Sequence, residues 1–235
     1  MDDKQIKQDL NYIFQDIFGV DNQFSEEELI SKFGENIPLP KKVKCAVSGK
    51  DTWKDPFVTL PVISQEAQAE RSKKDEWIVP KKPINSIDDI LKYYKDVNYM
   101  TGDKARNSEN ISSSDQIMES SNIYYSALIG SGKNIYYSYN NFNCNYLLFS
   151  RGSNSCTLGI RFFESIYCSS GFEVHYSNKV SRGYFISNCF DLFECMFCFN
   201  MASKKYCIAN MQFEKDEYLR IKKMVIEWIL KSFGK

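Results

Sequence analysis

Hydrophobic periodicity divides this chain into helical ends and a β-prone middle. Ile6, Leu10, Ile13, Phe14 and Ile17 recur at helical spacing, so residues 3 to 18 are expected to form an amphipathic helix closed by Gly19. Ser25 followed three positions later by Glu28 is a capping box for a short helix ending near Gly34, and Ser86 with Asp89 opens another through Lys95. Tyr218, Ile221, Val225 and Trp228 make one apolar stripe from about Glu214 to Phe233. Between the early helices, KKVKCAVSGKDTW and PFVTLPVIS suggest short strands.

From position 117 the pattern changes to short β-prone segments that repeat. Asn122-Ile123, Asn143-Cys144, Ser165-Ile166 and Asn188-Cys189 form a series with steps of 21, 22 and 23. Asn134-Ile135 and Ser155-Cys156 form a second, offset by half a step, with Lys179-Val180 as a weaker third member. A period near 22 with two short strands suits one coil of a parallel β-solenoid, in which equivalent side chains stack about 4.8 Å apart. Asn122, Asn143, Ser165 and Asn188 are then expected in one hydrogen-bonded column at a turn, with Ile123, Cys144, Ile166 and Cys189 stacked inside. An antiparallel sandwich of strands with shared composition is the alternative. The expected fold class is mainly β with flanking helices: a mixed α/β region over 1–116 as an α-helical N-terminal extension, a short parallel β-solenoid (β-helix) of about four coils over 117–210, and a C-terminal capping helix over 211–235. The helix at 86–95 is expected to cover the other end of the stack.

Composition sharpens this division. All six prolines lie between Pro38 and Pro83, so none interrupts the repeat half. Lys+Arg and Asp+Glu both total 30, which leaves no overall field for nucleic acid or an anionic membrane. The start, MDDKQIKQDL, lacks the basic and then apolar pattern of a secretory signal, and no apolar run approaches membrane-span length. Seven of the eight cysteines fall between positions 144 and 207 at irregular spacings, which favours reduced thiols in a cytoplasm over a secreted disulfide framework.

Those cysteines are the most conspicuous candidates for chemistry. One CxxC pair, Cys195 and Cys198, stands alone where zinc sites commonly use two, and CMFCFN does not open a helix as a redox motif would. Buried cysteine acting as a small apolar filler is the preferred reading, with no metal or other cofactor. IGSGKN (129–134) lacks the first glycine and the hydroxyl residue of a phosphate loop. His175, the single histidine, has no nucleophile-elbow serine or cysteine beside it. The repeat half carries only Glu119, Glu164, Glu173, Asp191 and Glu194 as acids, so catalysis could draw only on Glu164 and Asp191 meeting across coils. One threonine there is too few for an ice-binding ladder, and the near-neutral charge does not imitate DNA.

The stretch from Cys195 to Tyr218 also carries a resemblance. Cys195-Met-Phe-Cys198-Phe-Asn200, Lys204-Lys-Tyr206-Cys207-Ile208-Ala-Asn210 and Phe213-Glu-Lys215-Asp-Glu217-Tyr218 are similar to the C-terminal signature of an uncharacterised family. Its members are cysteine-rich, solenoid-like proteins, mostly from uncultured bacteria, and Cys45-Ala-Val-Ser-Gly49-Lys50 is similar to a second element of that family. Phe197 stands where the signature usually has Gly, and Met211 where it has Lys. The resemblance implies the architecture and no activity.

Functionally, if positions 123, 144, 166 and 189 point inward, then Tyr124, Asn145, Tyr167 and Phe190 point outward along one face. Tyr124, Tyr167 and Phe190 are the expected binding residues of a non-catalytic scaffold that takes a protein or peptide partner, unless the N-terminal half covers them. Neither nucleic acid nor membrane is an expected partner. An enzyme, or an accessory subunit of one, using the carboxylate surface or a thiol-metal centre is the alternative.

Overall fold

The computed structural model describes residues 2–161 and 169–232, and shows a parallel β-solenoid of about eight turns running from Ala105 to Ile208. That is twice the expected number of coils, because the period is 12 and not 22. Lys133 pairs with Ser121 below and Asn145 above, and Ile135 with Ile123 and Leu147. The backbone explains this length. From Asn107 to Leu158, and again from Glu173 to Ala209, every third residue takes a positive φ. Each such residue bends the chain at a corner, and between corners run two extended residues. Four tripeptide sides close one turn. Left-handed backbone disfavours most side chains and tolerates Asn best, so the asparagine-rich composition follows from the corners.

The expected Asn column is therefore replaced by different ones. Asn122 donates from Nδ2 to Asn134 Oδ1 and accepts from Asn110 Nδ2, both at 2.7 Å, and Asn188 donates to Asn200 at 3.1 Å. Asn122, Asn143 and Asn188 all sit at corners, but not in one column. Ser165 and Ile166 lie outside the described residues. A step of 21 preserves the phase of the tripeptide while missing whole turns.

The residue after each corner points inward, and four such side chains fill each turn. In the first turns, Ile117 faces Ile123, and Ile129 faces Ile135, all buried on one diagonal. Ser120 with Ser126, and Gly132 with Ser138, occupy the other diagonal. Towards the C-terminus the diagonals exchange roles. Val174 faces Val180 and Ile186 faces Leu192, while Gly171, Ser177, Gly183 and Cys189 take the slots that isoleucine fills earlier. Asn141, Cys144, Ser153 and Cys156 lie at the crossover. Two large and two small side chains are what so narrow a bore holds at close packing. A Cβ on Gly183 would come within 2.8 Å of both Val180 Cγ1 and Ile186 Cγ1.

Inner serines solve a second problem. Ser126 Oγ donates to Tyr124 O at 2.9 Å and accepts from Ser138 N, one turn on, at 3.0 Å. Ser114, Ser120 and Ser138 repeat this relay. The relay satisfies N–H groups that the corners aim into the bore, which an alanine would leave unpaired at a cost of roughly 1–3 kcal/mol.

Outside the bore, α1 (Asp3–Phe18) lies across one file of side chains. Tyr136, Leu148, Ile160, Phe172 and Tyr184 are each one turn apart and join Ile13, Phe14, Ile17 and Phe18 in one apolar cluster. Tyr136 Oη donates to Asp9 at 2.5 Å, and Tyr184 Oη donates to the Ile17 carbonyl. The next helix, α2 (Glu26–Phe33), starts from the expected Ser25 capping box. Its C-terminus is held by buried Arg161, which donates to Phe33 O at 3.0 Å and Lys32 O at 3.2 Å. Two further helices follow, α3 (Gln65–Lys73) and α4 (Ile87–Lys95), before α5 (Lys215–Ser232) packs on the last turns. On α5, Trp228 meets Phe185 and Phe197, and Lys222 bridges buried Glu194 at 2.7 Å.

Both ends of the stack are closed by side-chain amides. Gln65 accepts from Ala105 N at 2.7 Å and donates to Ala105 O at 3.1 Å, standing in for a missing strand. Asn210 does the same for Phe199, both bonds at 3.0 Å. The buried Asp115 carboxylate accepts from the amides of Asp55, Lys104 and Gln116 beside the first turn. The helix at 86–95 does not cover that end, since no residue of α4 is buried. Thr52, Val62 and Ile63 are buried beside the first turns instead.

The paired diagonals make a packing prediction. Gly183→Val should lose about 1–3 kcal/mol of unfolding free energy in urea, because its methyls enter an occupied slot. Gly152→Asn, at an outward corner with φ 66°, should change stability by no more than about 0.5 kcal/mol.

Candidate functional site

The clustered cysteines are inner residues of the bore. Cys144, Cys156, Cys189, Cys195, Cys198 and Cys207 are all buried, each in a slot that serine, glycine or an aliphatic takes in other turns. Their thiols imitate the serine relay. Cys189 Sγ donates to Ser187 O at 3.2 Å and accepts from Met201 N at 3.4 Å, and Cys198 Sγ donates to Met196 O at 3.3 Å. Sulfur combines a volume between serine and leucine with a weak hydrogen bond, which suits slots where the diagonals exchange or end. Cys144 and Cys189 are not stacked on Ile123 in one column, because the shorter turn places them on other sides of the bore.

The CxxC pair lies within one turn. Cys195 donates to Cys198, which together with burial pushes the Cys195 thiol far up, while accepting that bond holds Cys198 down. Among the described residues, no three His, Cys, Asp or Glu side chains are placed to hold a metal ion. Cys45 is also buried. Burial alone would raise its thiol, yet hydrogen bonds from Ser48, Ser64 and Val47 outweigh it and bring the group down to about 6.

The acids are likewise dispersed. Glu173 pairs with Arg161 at 2.5 Å, Glu194 with Lys222, and exposed Asp191 accepts from Ser203 at 3.1 Å. Glu164 lies outside the described residues. IGSGKN makes two sides of a turn, with Ile129 and Gly132 inside and Ser131 and Asn134 at corners.

The expected aromatic stripe does not form as a single line. Tyr124 stands under the N-terminal helices and donates to Glu26 at 3.2 Å. It lines a cleft of about 420 Å³ with Asp3, Lys7, Phe24 and Tyr137, and burial followed by the Glu26 charge pushes its hydroxyl up to about 12. Phe190 is five and a half turns away, hence on the opposite side of the solenoid, and 52% exposed. Tyr167 lies outside the described residues. The longer expected period aligned side chains that the real turn separates.

What lies open is the face opposite α1. Met118, Phe142 and Phe190 stand whole turns apart in one file there, all exposed. Tyr176, also exposed, stands at the adjoining corner. Between them are Ser131, Asn140, Asn143, Asn154, Asn178 and Asn188. Near the first turns this face is notched. Gly130 has no side chain, the Phe142 ring lies over it, and a recess of about 180 Å³ opens beside Met118, Leu128 and Gly130. Lys104 and Arg106 stand at its rim and make no ion pair among the described residues. Phe190 is exposed, as its position after an inner residue predicts, but the notch was missed, because only the correct turn length brings Met118, Gly130 and Phe142 into one file.

No protein-family model, curated protein or solved structure matches the chain. Among the described residues, no helix is long and apolar enough to cross a membrane.

Two measurements test this description. Cys189→Ser should cost less than about 1.5 kcal/mol, since the hydroxyl keeps the relay, whereas Cys189→Leu should cost about 1–3 kcal/mol by overfilling the slot opposite Gly183. His175 is lowered by burial and then by the nearby Arg161 charge. Its NMR titration midpoint should therefore lie below the roughly 6.5 of free imidazole. A base depressed in the fold favours the unfolded chain once protonated. Stability should fall as pH drops from about 6.5 toward the folded midpoint, and His175→Gln should remove that slope.

Proposed function

We propose that this protein is a non-catalytic binding scaffold whose solenoid face, opposite α1, takes a protein or peptide partner. The notch between Met118 and Phe142 carries this reading. An apolar recess with Lys104 and Arg106 at its rim fits an apolar side chain followed closely by a carboxylate. The remainder of the face supports it: rings at Phe142, Tyr176 and Phe190 among asparagines and serines, the mixture that binding surfaces use for rigid contact area and adaptable hydrogen bonds. A backbone paired on both sides keeps those rings in place, so little order is lost on binding.

Membership of the cysteine-rich solenoid family belongs to the same proposal. The signature residues Cys195, Cys198, Cys207 and Asn210 line and close the final turns, and Phe197, where Gly is usual, sits at a corner with φ 54°. Free thiols in the described bore fit a reducing cytoplasm.

Phe142→Ser combined with Phe190→Ser should weaken partner capture from an extract of the source cells at least tenfold, with far-UV circular dichroism unchanged. Tyr124→Phe, on the covered side, should leave capture intact. A folded double variant that keeps every partner would refute the assignment of this face.

A further inference from the structure

Helix α4 leaves an apolar stripe uncovered. Ile87, Ile90, Leu91 and Tyr94 follow the i, i+3, i+4, i+7 pattern of a buried stripe, yet they are 70%, 44%, 52% and 55% exposed. The helix is well made, with a capping box in which Asp89 and Ser86 satisfy each other's backbone amides. Its reverse face is already used. Tyr93 Oη donates to Pro83 O at 3.2 Å, and Lys82 lies 4.8 Å over the Tyr93 ring. Only the apolar stripe lacks a counterpart.

The charges beside that stripe indicate what the counterpart is. Asp88, Lys92 and Lys95 follow one another along a single edge, acidic in the first turn and basic in the last, and none forms an ion pair among the described residues. In an antiparallel helix pair, each edge meets the same edge of its partner. A second copy of α4 laid antiparallel would bring Ile87 against Tyr94 and Ile90 against Leu91, and would set each Asp88 between Lys92 and Lys95 of the other copy, twice over. Parallel pairing would align like charges. An anionic lipid surface would attract the lysines but repel Asp88 and Asp89, so the mixed edge fits a copy of itself better.

We propose that α4 is a self-association helix through which two copies of this chain pair about a two-fold axis, on a different surface from the notched face. The stripe is small beside the roughly 800 Å² per partner of a standard interface, so the dimer should be weak, with a dissociation constant on the order of 10 μM.

Sedimentation velocity of the full chain from about 1 to 200 μM tests this. Wild type should pass from monomer to dimer, and Ile87→Lys with Leu91→Lys should weaken the dimer at least tenfold. The fold should survive, because α4 buries no side chain. Asp88→Lys alone and Lys95→Asp alone should each weaken it about three- to tenfold, and the two together should restore it. A monomer at every concentration would overturn the proposal. So would a dimer indifferent to Ile87 and Leu91, or a double charge swap that fails to rescue. A monomer that co-sediments with phosphatidylserine vesicles through Leu91 would assign the stripe to lipid and equally overturn pairing. Loss of partner capture in the Phe142 and Phe190 variants is read separately, so either surface can fail without the other.

Discussion

One backbone constraint underlies this molecule: a left-handed residue at every third position through the coils. Each such residue is disfavoured for an ordinary side chain, by roughly 1–2 kcal/mol outside glycine and asparagine. The fold tolerates dozens of them because each corner is shared between hydrogen bonds to the turns above and below. Corners set the length of the turn, the turn sets the bore, and the bore admits only two large side chains at a time. Serine, cysteine and glycine then follow as much from backbone hydrogen bonding as from volume.

The sequence shows the corners more clearly than the turns. Asn122-Ile123, Asn134-Ile135, Asn143-Cys144, Ser155-Cys156 and Asn188-Cys189 each join a corner to an inner residue, and the structure places every one of them so. Their spacing misleads because any multiple of three preserves that phase. Asn therefore recurs from Asn122 to Asn143, which is not a whole turn, as readily as from Asn122 to Asn134, which is. Bulky corner residues such as Tyr125, Leu128 and Phe149 hide the intervening repeats from a search for asparagine. The diagonal exchange hides them again, since Ile117 and Ser177 share one column and Ile123 and Gly183 another.

The helices at 3–18, 26–33, 87–95 and 215–232 were legible from caps and apolar spacing. Helix α3 was not, because QEAQAERSK has no apolar face to give it a period. The candidate site was legible only in part. Phe190 follows an inner cysteine directly, which marks it as outward-facing from sequence, whereas the notch depends on a glycine lying under a phenylalanine one turn later. Tyr124 looked equally exposed in sequence, but helix packing is a long-range event that adjacent residues do not encode.

Helix α1 gives the solenoid a ruler. Asp9 holds Tyr136 and the Ile17 carbonyl holds Tyr184, four turns apart. A turn adds about 4.8 Å of stack and side chains bridge the rest of the span, so one more turn between the two tyrosines would carry one of them out of reach of its anchor. Solenoids lengthen readily in evolution by duplicating a turn, since each one contacts only its neighbours. Here growth is barred between Tyr136 and Tyr184, and only a turn added outside that span would extend the open face without pulling an anchor from the splint.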